Sequence, residues 1–144
     1  WGGVILAISG VLDSIDGALA RMSGAASPAG ALLDSVVDRL AEGVVLLGVL
    51  IFALDTDQAI LATLVYVAFA GSMLVSYVAA RAQSLGSERV VGIMTRPERV
   101  IVLAVGLVIG YLNIAIWIIA ILTPLTALHR FLHGWSELQK RPKA

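Results

Sequence analysis

Asp13, Asp16, Asp34 and Asp38 are the residues whose type and placement call for chemistry, because all four lie within or at the ends of two apolar segments. An ionised carboxylate in such a setting is costly unless it is paired or ligated. The pairs are spaced i,i+3 and i,i+4, so each projects from one face of its helix. The short connection from Met22 to Ala29 makes the two helices antiparallel neighbours, and four carboxylates can converge. Ion pairs with Arg21 and Arg39 would be the plain structural explanation. Two arginines cannot neutralise four clustered carboxylates, whereas one or two hard cations such as Mg²⁺ would satisfy all of them. All-oxygen Mg²⁺ sites commonly share their coordination with phosphates, so a phosphate-bearing substrate is expected.

The elements that must position these acids are membrane helices. Of 144 residues 59% are hydrophobic and 14% charged, and the mean hydropathy of +0.95 lies outside the usual range of a soluble globular domain. The expected class is an all-α integral membrane protein, a helical bundle with five spans near 3–21, 31–54, 58–80, 98–112 and 113–133. A turn at Gly110-Tyr111-Leu112-Asn113 is expected to separate the last two, since the joined run would be too long for one tilted helix. All ten basic residues then fall at or near one face, which should be cytoplasmic, with the active site opening toward it. The expected location is a multi-pass protein of the cell membrane, with a polar cytoplasmic end at 134–144. The absence of cysteine excludes thiolate chemistry and disulfides. The zero net charge removes the usual argument for nucleic-acid binding.

Small residues flank the acids, among them Gly17, Ala18, Ala20, Gly24 and Gly30. They permit close helix packing, and Gly17 and Gly30 could also let a nucleotide or diphosphate approach the backbone. The segment runs Asp13-Ser-Ile-Asp16-Gly17-Ala-Leu-Ala20-Arg21, then eight residues, then Gly30-Ala-Leu-Leu-Asp34-Ser-Val-Val-Asp38. It resembles the D-x2-D-G-x2-A-R-x8-G-x3-D-x3-D signature of the CDP-alcohol phosphatidyltransferases, with all eight positions filled. The resemblance implies six transmembrane helices and a homodimer, so the five spans correspond to the second through sixth, with a first helix upstream; residues 1–144 then form the family's transmembrane domain. It implies that Asp13, Asp16, Asp34 and Asp38 hold two metal ions, Mg²⁺ or Mn²⁺. It also implies that Gly17, Ala20, Arg21 and Gly30 line the site for the CDP-linked lipid, and that Asp38 is the general base.

A second set of residues bears on the acceptor. Arg81 ends one span in Ser76-Tyr77-Val78-Ala79-Ala80-Arg81, Arg96 and Arg99 open the next in Arg96-Pro97-Glu98-Arg99, and Arg130 lies near the end of the last. These four arginines are expected to clamp an acceptor phosphate by bidentate bonds, while Arg89, Lys140, Arg141 and Lys143 read as ordinary positive-inside anchors. The S-Y-x-x-A-R and R-P-E-R elements resemble the phosphatidylinositol phosphate synthase branch and its archaeal relatives. The implied acceptor is inositol 1-phosphate, with glycerol 3-phosphate as the runner-up. Ala79 stands where the related bacterial enzymes commonly have Lys. A divalent-metal transporter or a silent lipid-binding homologue are the alternatives of another class, but transport would need polar residues continuing past the acids. Ile5, Leu6, Ala7 and Ile8 and the stretch from Val44 to Leu54 are apolar instead. His129 and His133 read as interfacial residues rather than a metal pair.

Overall fold

In the computed structural model, residues 27–88 and 92–140 are described. The expected span near 3–21, with Asp13, Asp16, Gly17, Ala20 and Arg21, lies outside the described residues. Four helices make up the described part: α1 (Pro28–Asp55), α2 (Ala59–Ser84), α3 (Arg96–Val108) and α4 (Leu112–Gln139), with no strand among the described residues.

Each helix starts and stops for a local reason. Ser27 caps α1, its hydroxyl accepting from the Gly30 amide at 3.0 Å, and Pro28 follows in the first turn, where a missing N–H costs nothing. At the far end the Thr56 amide bonds back to the Phe52 carbonyl, and Asp57 takes a positive φ of 53° to turn the chain into α2. The end of α2 is a full Schellman motif: the Ser87 amide donates to the Ala82 carbonyl and the Gly86 amide to that of Gln83, each at 2.9 Å. Gly86 supplies the left-handed residue, with φ of 92°. Thr95 and Pro97 open α3, and Gly110, φ 79°, sets the turn into α4. The expected break between the last two helices is therefore present, and a single long helix is not.

Two helices, α2 and α4, are long and apolar enough to cross a membrane by length and composition. Every 18-residue stretch of α1 carries at least three charges, drawn chiefly from Asp34, Asp38, Arg39 and Glu42. The 13 residues of α3 rise only about 20 Å, short of the roughly 30 Å of a hydrocarbon core. The four expected spans that fall on described residues each correspond to a helix, and two of those helices have the length and composition of a span. The polar end expected from 134 begins inside α4, which stays helical through Gln139.

The helices pack most closely where side chains are smallest. Gly71 of α2 lies against Thr123 and Pro124 of α4, and a Cβ on it would meet Pro124 Cδ at 3.0 Å. Gly106 and Ala115 make the corresponding contact between α3 and α4. Such contacts suit helices in lipid, where association rests on close packing rather than on escape from water. The core joins Leu46 of α1, Val65 of α2, Leu103 of α3 and Ile116 and Ile119 of α4. Outward positions such as Leu40, Val44, Ile60 and Tyr66 are apolar and exposed, as expected of faces turned to lipid or to another apolar surface.

Candidate active site

Asp34 and Asp38 fall on one stripe of α1, as their spacing requires, and Glu42 extends that stripe by one more turn. Asp34 is exposed; Asp38 is partly buried. Its carboxylate Oδ2 lies 2.6 Å from Nη1 of Arg96, the first residue of α3. One turn further along both helices, Glu42 meets Arg99 through two bonds, Nε to Oε1 at 2.6 Å and Nη2 to Oε2 at 2.9 Å. Arg99 Nη1 also donates to the Met94 carbonyl at 3.1 Å. α1 and α3 are therefore joined by two successive rungs, Asp38 to Arg96 and Glu42 to Arg99.

The rungs differ in environment. At Asp38 and Arg96 the side chains keep 17% and 35% of their exposure, whereas Glu42 and Arg99 keep 8% and 3%. The buried rung is a fork-on-carboxylate pair, the geometry in which guanidinium and carboxylate best satisfy each other. Arg99 thus departs from the expectation that it stands with the acceptor-binding arginines: its donors are turned to Glu42 and the Met94 carbonyl. Glu42 went unremarked in the sequence. Its signal was the i,i+4,i+8 continuation of Asp34 and Asp38, which identifies it as a third acid on that face.

Of the other expected arginines, Arg81 lies at a helix end and Arg130 well inside α4. Arg81 is exposed in the last turn of α2. Arg130 of α4 is half-buried, and its Nη1 donates to the Val75 carbonyl of α2 at 3.2 Å. The connection between α2 and α3 passes directly over it: a Cβ on Gly92 would stand 2.5 Å from Thr126 Cγ2 and 2.9 Å from Arg130 Nε. The start of this connection is tied to α4, where Glu137 accepts from the Ser87 hydroxyl at 2.5 Å and from the Glu88 amide at 3.0 and 3.1 Å. Arg39, one of the two cations of the plain structural explanation, donates to the Ser35 carbonyl of its own helix. His129 and His133 are exposed, with ring centroids 6.4 Å apart.

Asp34 and Asp38 offer the carboxylate oxygens that hard divalent cations take. Among the described residues no group of three or more ligating side chains converges, so a complete site needs donors from elsewhere. Gly30, assigned by sequence to the CDP side, sits in the first turn of α1 with its amide bound to Ser27, one turn before Asp34.

The sequence profile described as CDP-alcohol phosphatidyltransferase matches residues 1–128. The chain belongs to that family. As a CDP-alcohol phosphatidyltransferase it is 37% identical to the archaetidylinositol phosphate synthase of Methanothermobacter thermautotrophicus over 144 residues, 96% of this chain and 71% of that protein. It is 33% identical to the phosphatidylinositol phosphate synthase of Mycolicibacterium smegmatis, over 90% of this chain and 63% of that protein. Its fold matches the crystal structure of the Mycobacterium tuberculosis phosphatidylinositol phosphate synthase with CDP-DAG bound, with a TM-score of 0.88 and 26% identity over 99% of this chain and 77% of the other. A second structure of that enzyme, in complex with manganese and citrate, matches with a TM-score of 0.85 and 26% identity over 98% of this chain and 73% of the other. Family membership and apolar helices together make this transferase a membrane protein.

Proposed function

We propose that this transferase moves a phosphatidyl-type group from a CDP-linked lipid, CDP-diacylglycerol or its archaeal equivalent, to a phosphorylated polyol, with inositol 1-phosphate as the acceptor. The observation that carries the reading is the 2.6 Å contact between Asp38 and Arg96. A carboxylate suited to accept a proton adjoins a guanidinium suited to hold a phosphate, so an acceptor bound through its phosphate would have a hydroxyl within reach of a base.

In the reaction, the acceptor hydroxyl oxygen forms a bond to the lipid-side phosphorus of the diphosphate. The bond from that phosphorus to the bridging oxygen breaks, and CMP leaves with the bridging oxygen and its electron pair. Asp38 takes the hydroxyl proton. Arg96, Arg81 and Arg130 orient the acceptor phosphate, with Arg99 behind them. Asp34 and Asp38, together with Asp13 and Asp16, would hold two divalent cations, Mg²⁺ or Mn²⁺, whose chemistry when bound is neutralisation of diphosphate charge. The manganese in a neighbouring structure supports a divalent-metal requirement. Gly17, Ala20, Arg21 and Gly30 complete the reading on the CDP side.

The location proposed is a multi-pass membrane protein with this site facing the cytoplasm, acting as a homodimer. An apolar groove of about 600 Å³ between α1 and α2, lined by Leu40, Val44, Leu47, Tyr66 and Phe69 among others, offers such a protein a face for lipid or for a second copy.

Release of CMP from CDP-diacylglycerol by the full-length enzyme, with inositol 1-phosphate, glycerol 3-phosphate, inositol and serine offered separately, tests the assignment. Turnover with inositol 1-phosphate alone supports it. Turnover with glycerol 3-phosphate instead would keep the reaction type and replace the acceptor.

A further inference from the structure

The rung between Glu42 and Arg99 joins the two helices that carry Asp38 and Arg96, and the Arg99 donors are turned to Glu42 and the Met94 carbonyl. We infer that Glu42 and Arg99 are positioning residues, a fixed brace that sets Arg96 against Asp38 and so determines how tightly the acceptor is held. The inference rests on the reading of Arg96 as a contact to the acceptor phosphate.

Three features carry it. First, Glu42 is one helical turn from Asp38 and Arg99 one turn from Arg96, so the brace and the working pair share the same two helix faces. Second, the brace has the firmer geometry. Its two parallel bonds, 2.6 and 2.9 Å, fix both distance and rotation of α3 on α1, while the Met94 carbonyl at 3.1 Å holds the guanidinium plane. Third, burial distinguishes the two rungs. Arg99 is 3% exposed and has its carboxylate partner in place, whereas Arg96 keeps 35%. A buried pair left with one member is strongly disfavoured, so the brace does not readily open. The more exposed pair can exchange partners, Asp38 toward a proton or a cation and Arg96 toward a phosphate, while the helices stay in register.

Removing one partner alone risks unfolding, so the decisive variant removes both charges together: Glu42→Leu with Arg99→Met, apolar residues of comparable length. Replacing a whole buried ion pair in this way is often neutral for stability. In the full-length enzyme we expect a thermal midpoint near the parent's and an unchanged KM for the CDP-linked lipid. We expect KM for inositol 1-phosphate to rise about tenfold or more, as small misplacements of binding groups do. Arg99→Lys, which keeps the charge and loses the fork, should show a smaller rise in the same constant. Acceptor KM within about twofold of the parent in the folded double variant, or in Arg99→Lys should the double variant not fold, would reduce the pair to packing and overturn the inference. So would a fall in kcat with acceptor KM unchanged. Arg96→Gln separates the two readings: if it leaves acceptor KM at the parent value, the phosphate contact itself is wrong, whereas a raised KM in Arg96→Gln beside a normal one in the double variant rejects only the brace.

Discussion

Gly92 crosses Arg130 so closely that the smallest side chain at that position would stand 2.9 Å from the guanidinium Nε. The contact links the α2–α3 connection to the one arginine that α4 brings to this part of the fold. Gly92→Ala is expected to displace either the connection or the Arg130 side chain. The proposed acceptor site would then lose affinity by about tenfold, an energy of roughly 1.4 kcal/mol. Steady-state KM for the acceptor checks this, with KM for the CDP-linked lipid as the internal control.

Asp38→Asn keeps the shape of the side chain and removes its capacity to accept a proton. A general base is worth about 10²–10⁴ in rate, so CMP release should fall by at least about a hundredfold. Asp34→Asn should instead raise the concentration of Mg²⁺ needed for half-maximal rate. Chelation should abolish CMP release in the parent enzyme, and either Mg²⁺ or Mn²⁺ should restore it.

Helix packing makes a separate prediction at Gly71. A methyl group there would run into the Thr123 hydroxyl and stand 3.0 Å from Pro124 Cδ. Thr123 cannot retreat easily, being fully buried with its hydroxyl donating to the Ile119 carbonyl at 2.8 Å. Gly71→Ala should therefore destabilise the protein by about 1–3 kcal/mol, measured as a lowered thermal midpoint in detergent. Gly48, with nothing within 4 Å of its would-be Cβ, is the control and should tolerate alanine.

The sequence contains no cysteine, so single cysteines can report on the proposed homodimer without background. Val44→Cys or Tyr66→Cys, both on the exposed apolar groove, should cross-link between copies in native membranes if a second copy sits there. Ile109→Cys, exposed at the α3–α4 turn, should not.

Part of the candidate site was legible, because acids in an apolar segment stand out. Asp34 and Asp38 needed only their spacing to be placed on one helix face, and Gly110 was enough to break α3 from α4. What could not be read was pairing between helices distant in sequence. Arg99 looked like its neighbour Arg96, because residues three apart share one helix face and the sequence does not show which of them meets a buried partner. Only the arrival of Glu42, 57 positions away, distinguishes the buried cation from the accessible one. Glu137 is a similar case: as a lone acid near a helix end it gives no hint that it holds Ser87 and the Glu88 amide in place. The α3 helix was expected as a span over 98–112; it starts earlier, at Arg96, and stops at Val108, because the chain already turns at Gly110.

That short helix has a consequence for how two immiscible reactants meet. With 13 residues in α3 and 28 in α4, the first rises about 20 Å and the second about 42 Å. Since they are joined by a tight turn at one end, α3 begins level with the middle of its neighbour. Arg96 is thereby recessed well below the end of α4. On the proposed reading a lipid need not leave its leaflet to react there. On the same reading it is the water-soluble acceptor that travels, down to the depth of Arg96. The acceptor is, on that reading, brought down to the lipid, and no acyl chain need be lifted into water.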